Sequence, residues 1–87
     1  MKIVIAGAGE MGSHLARLLS GNNHDIAVVD SDPKLLQEVA NLADVITVEG
    51  DSTTLATLRR AAVRRSDLFI AVNHEENDNI VAAMLAK

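Results

Sequence analysis

The chain begins with Met1-Lys2-Ile3-Val4-Ile5-Ala6-Gly7-Ala8-Gly9-Glu10-Met11-Gly12, and this stretch decides the fold. Its apolar run, Ile3 to Ala6, is too short for a stable helix and is rich in β-branched side chains, which predicts a strand buried on both faces. A helical pattern follows the last glycine directly. A strand, a Gly-x-Gly-x-x-Gly sequence and a helix, in this order, form the fingerprint of a dinucleotide-binding loop.

Each glycine of this loop has a separate physical role. Gly7 lets the chain leave the strand in a tight turn, Gly9 lets a pyrophosphate approach the backbone, and Gly12 lets the helix lie close to the strand. The free N–H groups at the start of the helix then face the anion. Because glycines are common in turns, an ordinary helix start is the alternative. The predicted cofactor-binding loop comprises Gly7, Ala8, Gly9, Glu10, Met11 and Gly12.

A carboxylate ends the second predicted strand, which runs from Ile26 to Asp30. Asp30 comes 18 positions after Gly12, close to the spacing at which an acidic residue meets the ribose 2′-hydroxyl of NAD. The next two residues, Ser31 and Asp32, add acceptors and neither is an arginine, so NAD(H) or an adenosine nucleotide is favoured over NADP. The alternative is that Asp30 merely ends a strand.

The second helix is predicted to begin at Ser31 or Asp32, either of which can cap it, with Pro33 in its first turn. Lys34 has two interpretations: a solvated lysine of the first turn, or a contact for a nucleotide phosphate or ribose. The apolar residues of this helix recur at helical spacing. They are Leu35, Leu36, Val39 and Leu42.

A third predicted strand, Val45 to Val48, leads into Gly50, which permits a sharp turn at the edge of the sheet where ligands of open α/β folds bind. Asp51 and Ser52 are good N-cap residues for a helix predicted from Thr53 to about Ala62. Recognition of an adenine edge by the same loop is the alternative.

The fourth predicted strand ends at Val72, and a polar segment that includes Asn73 and Glu76 follows it. Parallel strands all point one way, so this segment is expected at the same edge as the glycine loop. Its amides and carboxylates can line a ligand crevice. The alternative is a polar start to a fourth helix, which would contain Ile80, Ala83 and Met84.

Several further expectations concern helix faces and turns. The first helix is expected to bury Met11, Leu15, Leu18 and Leu19, and the third to bury Leu55 and Leu58. Gly21 is expected to adopt the left-handed conformation that ends a helix. Both His14 and His24 are expected to be solvated.

The order β-α-β-α-β-α-β-α predicts an α/β fold: a Rossmann-like, doubly wound parallel sheet with strand order 3-2-1-4 and helices on both faces. Residues 1–87 are expected to form one nucleotide-binding domain that is truncated before its last strands. The edge of the fourth strand would then be unpaired and inclined to associate.

Composition excludes several other classes of function. The net charge of −4 and the pI near 5.1 argue against nucleic-acid binding, which needs a basic surface. The chain contains no cysteine, no two histidines at metal-ligand spacing and no apolar run of about 20 residues. We therefore expect no metal, no direct membrane insertion and a cytoplasmic location. The basic residues Arg59, Arg60, Arg64 and Arg65 form a solvated face or a partner-binding patch.

Taken together, the motifs resemble the N-terminal nucleotide-binding domain of TrkA-type potassium-uptake proteins, also called the KTN or RCK-N domain. The resemblance covers Met1 to Lys87. It depends on Gly7-Ala8-Gly9-Glu10-Met11-Gly12, Val28-Val29-Asp30, Val48-Glu49-Gly50-Asp51-Ser52 and Asp67-Leu68-Phe69-Ile70-Ala71-Val72, with Asn79 beyond.

This resemblance implies a cytoplasmic regulatory subunit of a potassium transporter or channel, held at the inner membrane through its pore partner. Such domains bind NAD(H) or ATP/ADP and assemble as homodimers or larger rings. The resemblance also implies that the glycines hold the phosphates and that Asp30 binds ribose hydroxyls. Asp51 and Ser52 line the adenine side, and Asn73 with Glu76 borders the crevice. Asn73-His74 departs from the family pattern of threonine or serine followed by an acidic residue.

Three functions are compatible with this sequence. The leading one is a non-catalytic ligand sensor that gates a potassium pore. The second is the cofactor half of an NAD-dependent oxidoreductase, but hydride transfer needs a substrate pocket and a proton donor or acceptor. The chain has no tyrosine or cysteine, and His74 is the one histidine expected near the crevice. A methyltransferase that binds adenosylmethionine is the third.

Overall fold

The computed structural model describes residues 1–72. The predictions for Asn73, Glu76 and the fourth helix therefore lie outside the described residues. The elements are β1 (Lys2–Ala6), α1 (Glu10–Ser20), β2 (Asp25–Asp30), α2 (Pro33–Leu42), β3 (Ile46–Glu49), α3 (Leu55–Arg60), a single 3-10 turn (Val63–Arg65) and β4 (Leu68–Ala71). No helix within residues 1–72 has the length and apolar character needed to cross a bilayer.

The four strands form one parallel sheet in the order β3-β2-β1-β4, which confirms the predicted Rossmann-like topology. Ile5 of β1 pairs with Val28 of β2 on one side and with Ile70 of β4 on the other. Because every strand runs the same way, the ends of β1, β2, β3 and β4 meet at one margin of the sheet, here called the carboxyl edge. The loops that carry the candidate site leave from this edge.

The core has two layers, one on each face of the sheet, because successive strand residues point to opposite faces. Ile5 and Val28 pack with Leu36 and Val39 of α2 and with Ala16 of α1. On the other face the sheet packs against α3 and the residues after it. The members of this second layer are Val4, Ala27, Val29, Leu58, Ala61 and Val63. The prediction of helices on both faces is confirmed.

The buried face of α1 differs from the prediction. Met11 is 64% exposed and Leu18 is 56% exposed, whereas the fully buried positions are Gly12 and Ala16. Leu15 and Leu19 are only partly buried against the core. The helix turns its smallest residues toward the sheet because the close approach at Gly12 leaves no space there for long side chains.

The start of α2 is as predicted, but one residue of its predicted apolar stripe is exposed. The carboxylate of Asp32 accepts the backbone N–H of Lys34 at 2.9 Å and caps the helix, with Pro33 in the first turn. Leu36 and Val39 are buried, but Leu42 is 57% exposed. Leu42 is the last residue of α2, where no further element of the described chain covers it.

The third helix is shorter than predicted. It begins at Leu55 rather than Thr53, and its N-cap is Thr54, whose hydroxyl accepts the N–H of Thr57. Leu55 is 45% exposed, whereas Leu58 is buried as expected. The helix ends before Ala62 because Ala62 is left-handed, with φ 59°, a conformation that no sequence signal indicates for alanine.

Two turn predictions are wrong. Gly21 is right-handed, with φ −73°, and the left-handed residue of the turn is Asn23, with φ 60°, because asparagine tolerates that region. His24 is half-buried, and its Nδ1 atom is buried without a hydrogen-bond partner among the described residues, so it is not a solvated loop histidine. His14 is exposed, as predicted.

Candidate functional site

The glycine loop begins with a residue that few other amino acids could replace. Gly7 has φ 119°, a backbone conformation that side chains with a Cβ rarely adopt. Its N–H donates to the carbonyl of Val29 at 2.7 Å, which ties the start of the loop to the neighbouring strand. The tight turn that was predicted after β1 is therefore present at the carboxyl edge.

A close backbone approach fixes the second end of the loop. A Cβ atom added to Gly12 would overlap the carbonyl oxygen of Gly7 and would lie 2.8 Å from the carbonyl carbon. The same position lies 3.5 Å from Cγ2 of Val72, and the N–H of Val72 donates to Ala6 at 2.8 Å. Gly12 thus allows α1 to start directly against the ends of β1 and β4.

The start of α1 is open and has no side-chain cap. Gly9 is the N-cap residue, and no side chain of the described chain accepts a hydrogen bond there. The first helical turn is closed by the bond from Ser13 N–H to the Gly9 carbonyl at 2.9 Å. A Cβ added to Gly9 would meet no heavy atom of residues 1–72 within 4 Å. An uncapped helix start with free space in front of it can receive an anion, since its N–H groups carry partial positive charge.

The carboxylate of Asp30 faces this loop. Its Oδ2 atom accepts the N–H of Ala8 at 2.8 Å, and its Oδ1 atom accepts the N–H of Asp32 at 2.8 Å. The side chain therefore points from the end of β2 toward the glycine loop. Each carboxylate oxygen can accept a second hydrogen bond, so the group retains capacity for a donor such as a hydroxyl.

The turn after β3 lies beside Asp30. The N–H of Gly50 donates to the backbone carbonyl of Asp30 at 2.9 Å. The sequence predicted that Asp51 would cap α3, but the N-cap is Thr54. Instead the Oδ1 atom of Asp51 accepts the backbone N–H of Thr53 at 2.8 Å and the Thr53 hydroxyl at 2.6 Å. The hydroxyl and the backbone N–H of Thr53 hold the pKa of Asp51 below its ordinary value.

This pKa shift predicts a pH-dependent effect of Asp51→Ala. A carboxylate with a lowered pKa stabilises the folded state above its unfolded pKa, and that contribution is lost as the pH falls through the folded value. We expect the variant to be less stable than wild type at pH 7 and the difference to shrink below about pH 4. Urea denaturation at several pH values measures this. A difference that stays constant into acid would contradict the assignment.

The other predicted residues fall into three groups. Ser31 and Lys34 are exposed just after Asp30, and Glu10 and Met11 are exposed in the first turn of α1. Ser52 is only 5% exposed, so it is buried in the turn after β3. Asn73 and Glu76 lie outside the described residues. The contacts among the described residues bring the glycine loop, Asp30, Gly50 and Val72 together.

Arg60 was not predicted to contribute to this region. Its Nη2 atom donates to the carbonyl of Glu49 at 2.6 Å, so the guanidinium lies beside the turn after β3. In the sequence Arg60 is part of a basic run at the end of a helix, where cations commonly complement the helix dipole. No spacing rule connects it with Glu49, 11 residues earlier.

Comparison with known proteins identifies the family. The TrkA-N domain model matches residues 3–87. A Trk system potassium uptake protein TrkA homolog of Archaeoglobus fulgidus is 40% identical over 87 residues, and its counterpart in Pyrococcus abyssi is 33% identical over 87 residues. The TrkA protein of Halomonas elongata is 38% identical over 86 residues. The chain is covered to 99% or more in each case but spans only 20%, 38% and 19% of these proteins.

Solved structures share the fold. The Kef CTD of Shewanella denitrificans in its AMP-bound form superposes with a TM-score of 0.84 at 21% identity, over 99% of this chain and 51% of that one. The KRED1-Pglu enzyme superposes with a TM-score of 0.55 at 22% identity, over 71% of this chain and 28% of that one. At these identities the likeness concerns the fold. The family match over nearly the whole length shows that the chain belongs to the TrkA-N domain family.

Proposed function

We propose that residues 1–87 form a regulatory nucleotide-binding domain of a potassium transport system, and that the ligand is NAD(H) or an adenine nucleotide such as ATP or ADP. The observation that carries this proposal is the position of Asp30. Its carboxylate lies on the glycine loop, bonded to Ala8 N–H at 2.8 Å, in front of a helix start that no described side chain caps.

The start of α1 and the carboxylate of Asp30 suit the phosphate and the ribose of a nucleotide, respectively. The N–H groups at the start of α1 suit phosphate, because the helix dipole and the free donors both favour negative charge. The open space at Gly9 allows phosphate oxygens to reach the backbone. The carboxylate of Asp30 suits the ribose diol, since each of its oxygens can accept one further hydrogen bond.

The same carboxylate selects among nucleotides. An acceptor at the end of β2 binds a 2′-hydroxyl and repels a 2′-phosphate. Asp32 is exposed two residues later and adds a second negative charge at this edge. NAD(H) is therefore favoured over NADP(H). In this proposal Asp51 and Ser52 border the adenine, Lys34 and Ser31 border the ribose, and Val72, Asn73 and Glu76 border the centre of the crevice.

Relatives support the physiological role. Proteins that are 33–40% identical to this chain are named Trk system potassium uptake proteins, and the Kef CTD, a fold neighbour, was solved with AMP bound. We infer that the domain acts in the cytoplasm as part of a homodimer or larger homo-oligomer. Its partner would be a membrane potassium transporter or channel subunit.

Regulation requires that the ligand distinguish two states. A ligand shifts a conformational equilibrium only by as much as its affinities for the two states differ. In this proposal, exchange of one nucleotide for another biases the arrangement of neighbouring domains, and the pore responds to that change. The domain itself catalyses no reaction.

Calorimetric titration of the full chain with NAD⁺, NADH, ATP, ADP and NADP⁺ tests the proposal. We expect at least one of the first four to bind with one site per chain, and NADP⁺ to bind at least ~10-fold more weakly than NAD⁺. Incubation with NADH and simple carbonyl compounds should give no oxidation. Absence of heat with all four nucleotides would reject the proposal, and sustained NADH oxidation would favour an oxidoreductase.

A further inference from the structure

One peptide group after β3 is held at both of its polar ends. The carbonyl of Glu49 accepts a hydrogen bond from Arg60 Nη2 at 2.6 Å, and the N–H of Gly50, which belongs to the same peptide group, donates to the backbone carbonyl of Asp30 at 2.9 Å. A bond from a guanidinium is stronger than one between neutral groups. Arg60 therefore fixes the orientation of the group that contacts Asp30.

Hydrogen bonds continue from Asp30 to the glycine loop. The carboxylate of Asp30 accepts the N–H of Ala8 at 2.8 Å and the N–H of Asp32 at 2.8 Å. Arg60 on α3 is thus linked through the Glu49–Gly50 peptide to the backbone carbonyl of Asp30, and the side chain of the same residue is bonded to Ala8.

The exposed side chain of Arg60 ends directly against Gly50. A Cβ atom added to Gly50 would lie 2.6 Å from Arg60 Nη2 and 2.5 Å from Thr57 Oγ1. Thr57 is only 4% exposed, and its hydroxyl is 2.7 Å from that of Thr54. The guanidinium therefore occupies the space that the missing side chain of Gly50 leaves open.

We propose that Arg60 is a positioning residue of the nucleotide site. This inference rests on the proposed function. Arg60 holds the Glu49–Gly50 peptide against the end of β2, which keeps the Asp30 carboxylate aimed at the glycine loop and ready for the ribose. It acts through Asp30 and does not itself need to contact the nucleotide.

Arg59 provides a matched control. It lies in the same last turn of α3 and is exposed, and replacing it changes the net charge by the same amount. No bond joins it to the turn after β3 in the described part of the chain. Arg60→Gln and Arg59→Gln therefore share any effect that arises only from lost positive charge near an anionic ligand.

The experiment measures the dissociation constants of NAD⁺, NADH, ATP and ADP by calorimetry for wild type, Arg60→Gln, Arg60→Lys and Arg59→Gln, each checked for folding by circular dichroism. We expect Arg60→Gln to bind about 5- to 10-fold more weakly than wild type and Arg59→Gln to stay within about 2-fold. Arg60→Lys, which keeps a charged donor, should recover part of the loss. The Arg60→Gln effect should persist at high salt, where effects of surface charge are screened.

A second measurement reports directly on the contact between Arg60 and the Glu49–Gly50 peptide. In ¹⁵N–¹H spectra the Gly50 amide signal should shift in Arg60→Gln and not in Arg59→Gln. Equal affinities of the two glutamine variants, or an unshifted Gly50 signal in Arg60→Gln, would overturn the role of Arg60 while nucleotide binding by wild type still stands. Failure of wild type to bind any of NAD⁺, NADH, ATP and ADP would instead reject the proposed function, and this inference with it.

Discussion

Gly12→Ala is expected to lower the free energy of unfolding by at least ~2 kcal/mol and to abolish nucleotide binding. The added Cβ would overlap the carbonyl oxygen of Gly7. Both groups belong to backbone that the sheet and α1 hold in place, so the clash is relieved only if α1 moves away from β1. That movement would also open the loop that is proposed to hold phosphate. Urea denaturation and calorimetric titration measure the two losses separately.

Gly9→Ala is the control for this prediction. Within the part of the chain that the structure describes, a Cβ at Gly9 meets no heavy atom within 4 Å, and φ −70° suits alanine. The loss of stability should stay within about 1 kcal/mol, the usual cost of alanine at an N-cap. Nucleotide affinity should nevertheless fall by at least ~10-fold, because the methyl group occupies space that phosphate needs. Unchanged affinity in Gly9→Ala would contradict the proposed approach of phosphate to this backbone.

The second large effect is expected from Asp30→Ala. The substitution removes the acceptor for the N–H groups of Ala8 and Asp32, together with the proposed ribose contact. Because two ribose hydrogen bonds and the orientation of the loop are lost together, we expect affinity for NADH and ADP to fall by about 10- to 100-fold. Loss of the two backbone contacts should also cost about 1–2 kcal/mol of stability. Titration and urea denaturation test both.

Asp32→Asn controls for charge in the Asp30 experiment. It removes one negative charge two residues away, and asparagine can still cap α2 through the contact that Asp32 makes with Lys34 N–H at 2.9 Å. We expect nucleotide affinity to be unchanged or slightly higher, since a negative charge near the phosphates is removed. If both variants lost affinity equally, a specific ribose contact at Asp30 would be ruled out.

The topology was predictable because it follows from short-range signals. Each strand is a short and mostly apolar run, each is followed by a helical pattern in the sequence, and a parallel sheet with right-handed crossovers is the arrangement that such an order favours. The glycine pattern also predicted both the turn at Gly7 and the close approach at Gly12. These features depend on steric limits that act within a few residues.

Helix faces were harder to predict, because hydrophobicity alone does not say how near a helix lies to the sheet. Met11 and Leu18 are exposed at 64% and 56%, while Gly12 and Ala16 face the sheet. Close packing reverses the usual preference for long apolar side chains at the interface. In α3 the first residue, Leu55, is 45% exposed, whereas Leu58 one turn later is buried.

Contacts between side chains and distant backbone were not predictable from the sequence. The bond from Ala8 N–H to Asp30 joins residues 22 positions apart, and the bond from Arg60 to Glu49 joins residues 11 positions apart. Spacing rules predicted that Asp30 lies at the ligand-binding edge. They could not show that its carboxylate is already bonded to the glycine loop, since this depends on how the ends of three strands meet.

A crystal structure of the full chain with NADH or ADP bound would show directly where the nucleotide lies. We expect the phosphate oxygens to accept hydrogen bonds from the backbone N–H groups at the start of α1 and the ribose hydroxyls to donate to the carboxylate of Asp30. A nucleotide bound elsewhere on the domain, or one whose ribose makes no contact with Asp30, would contradict this expectation.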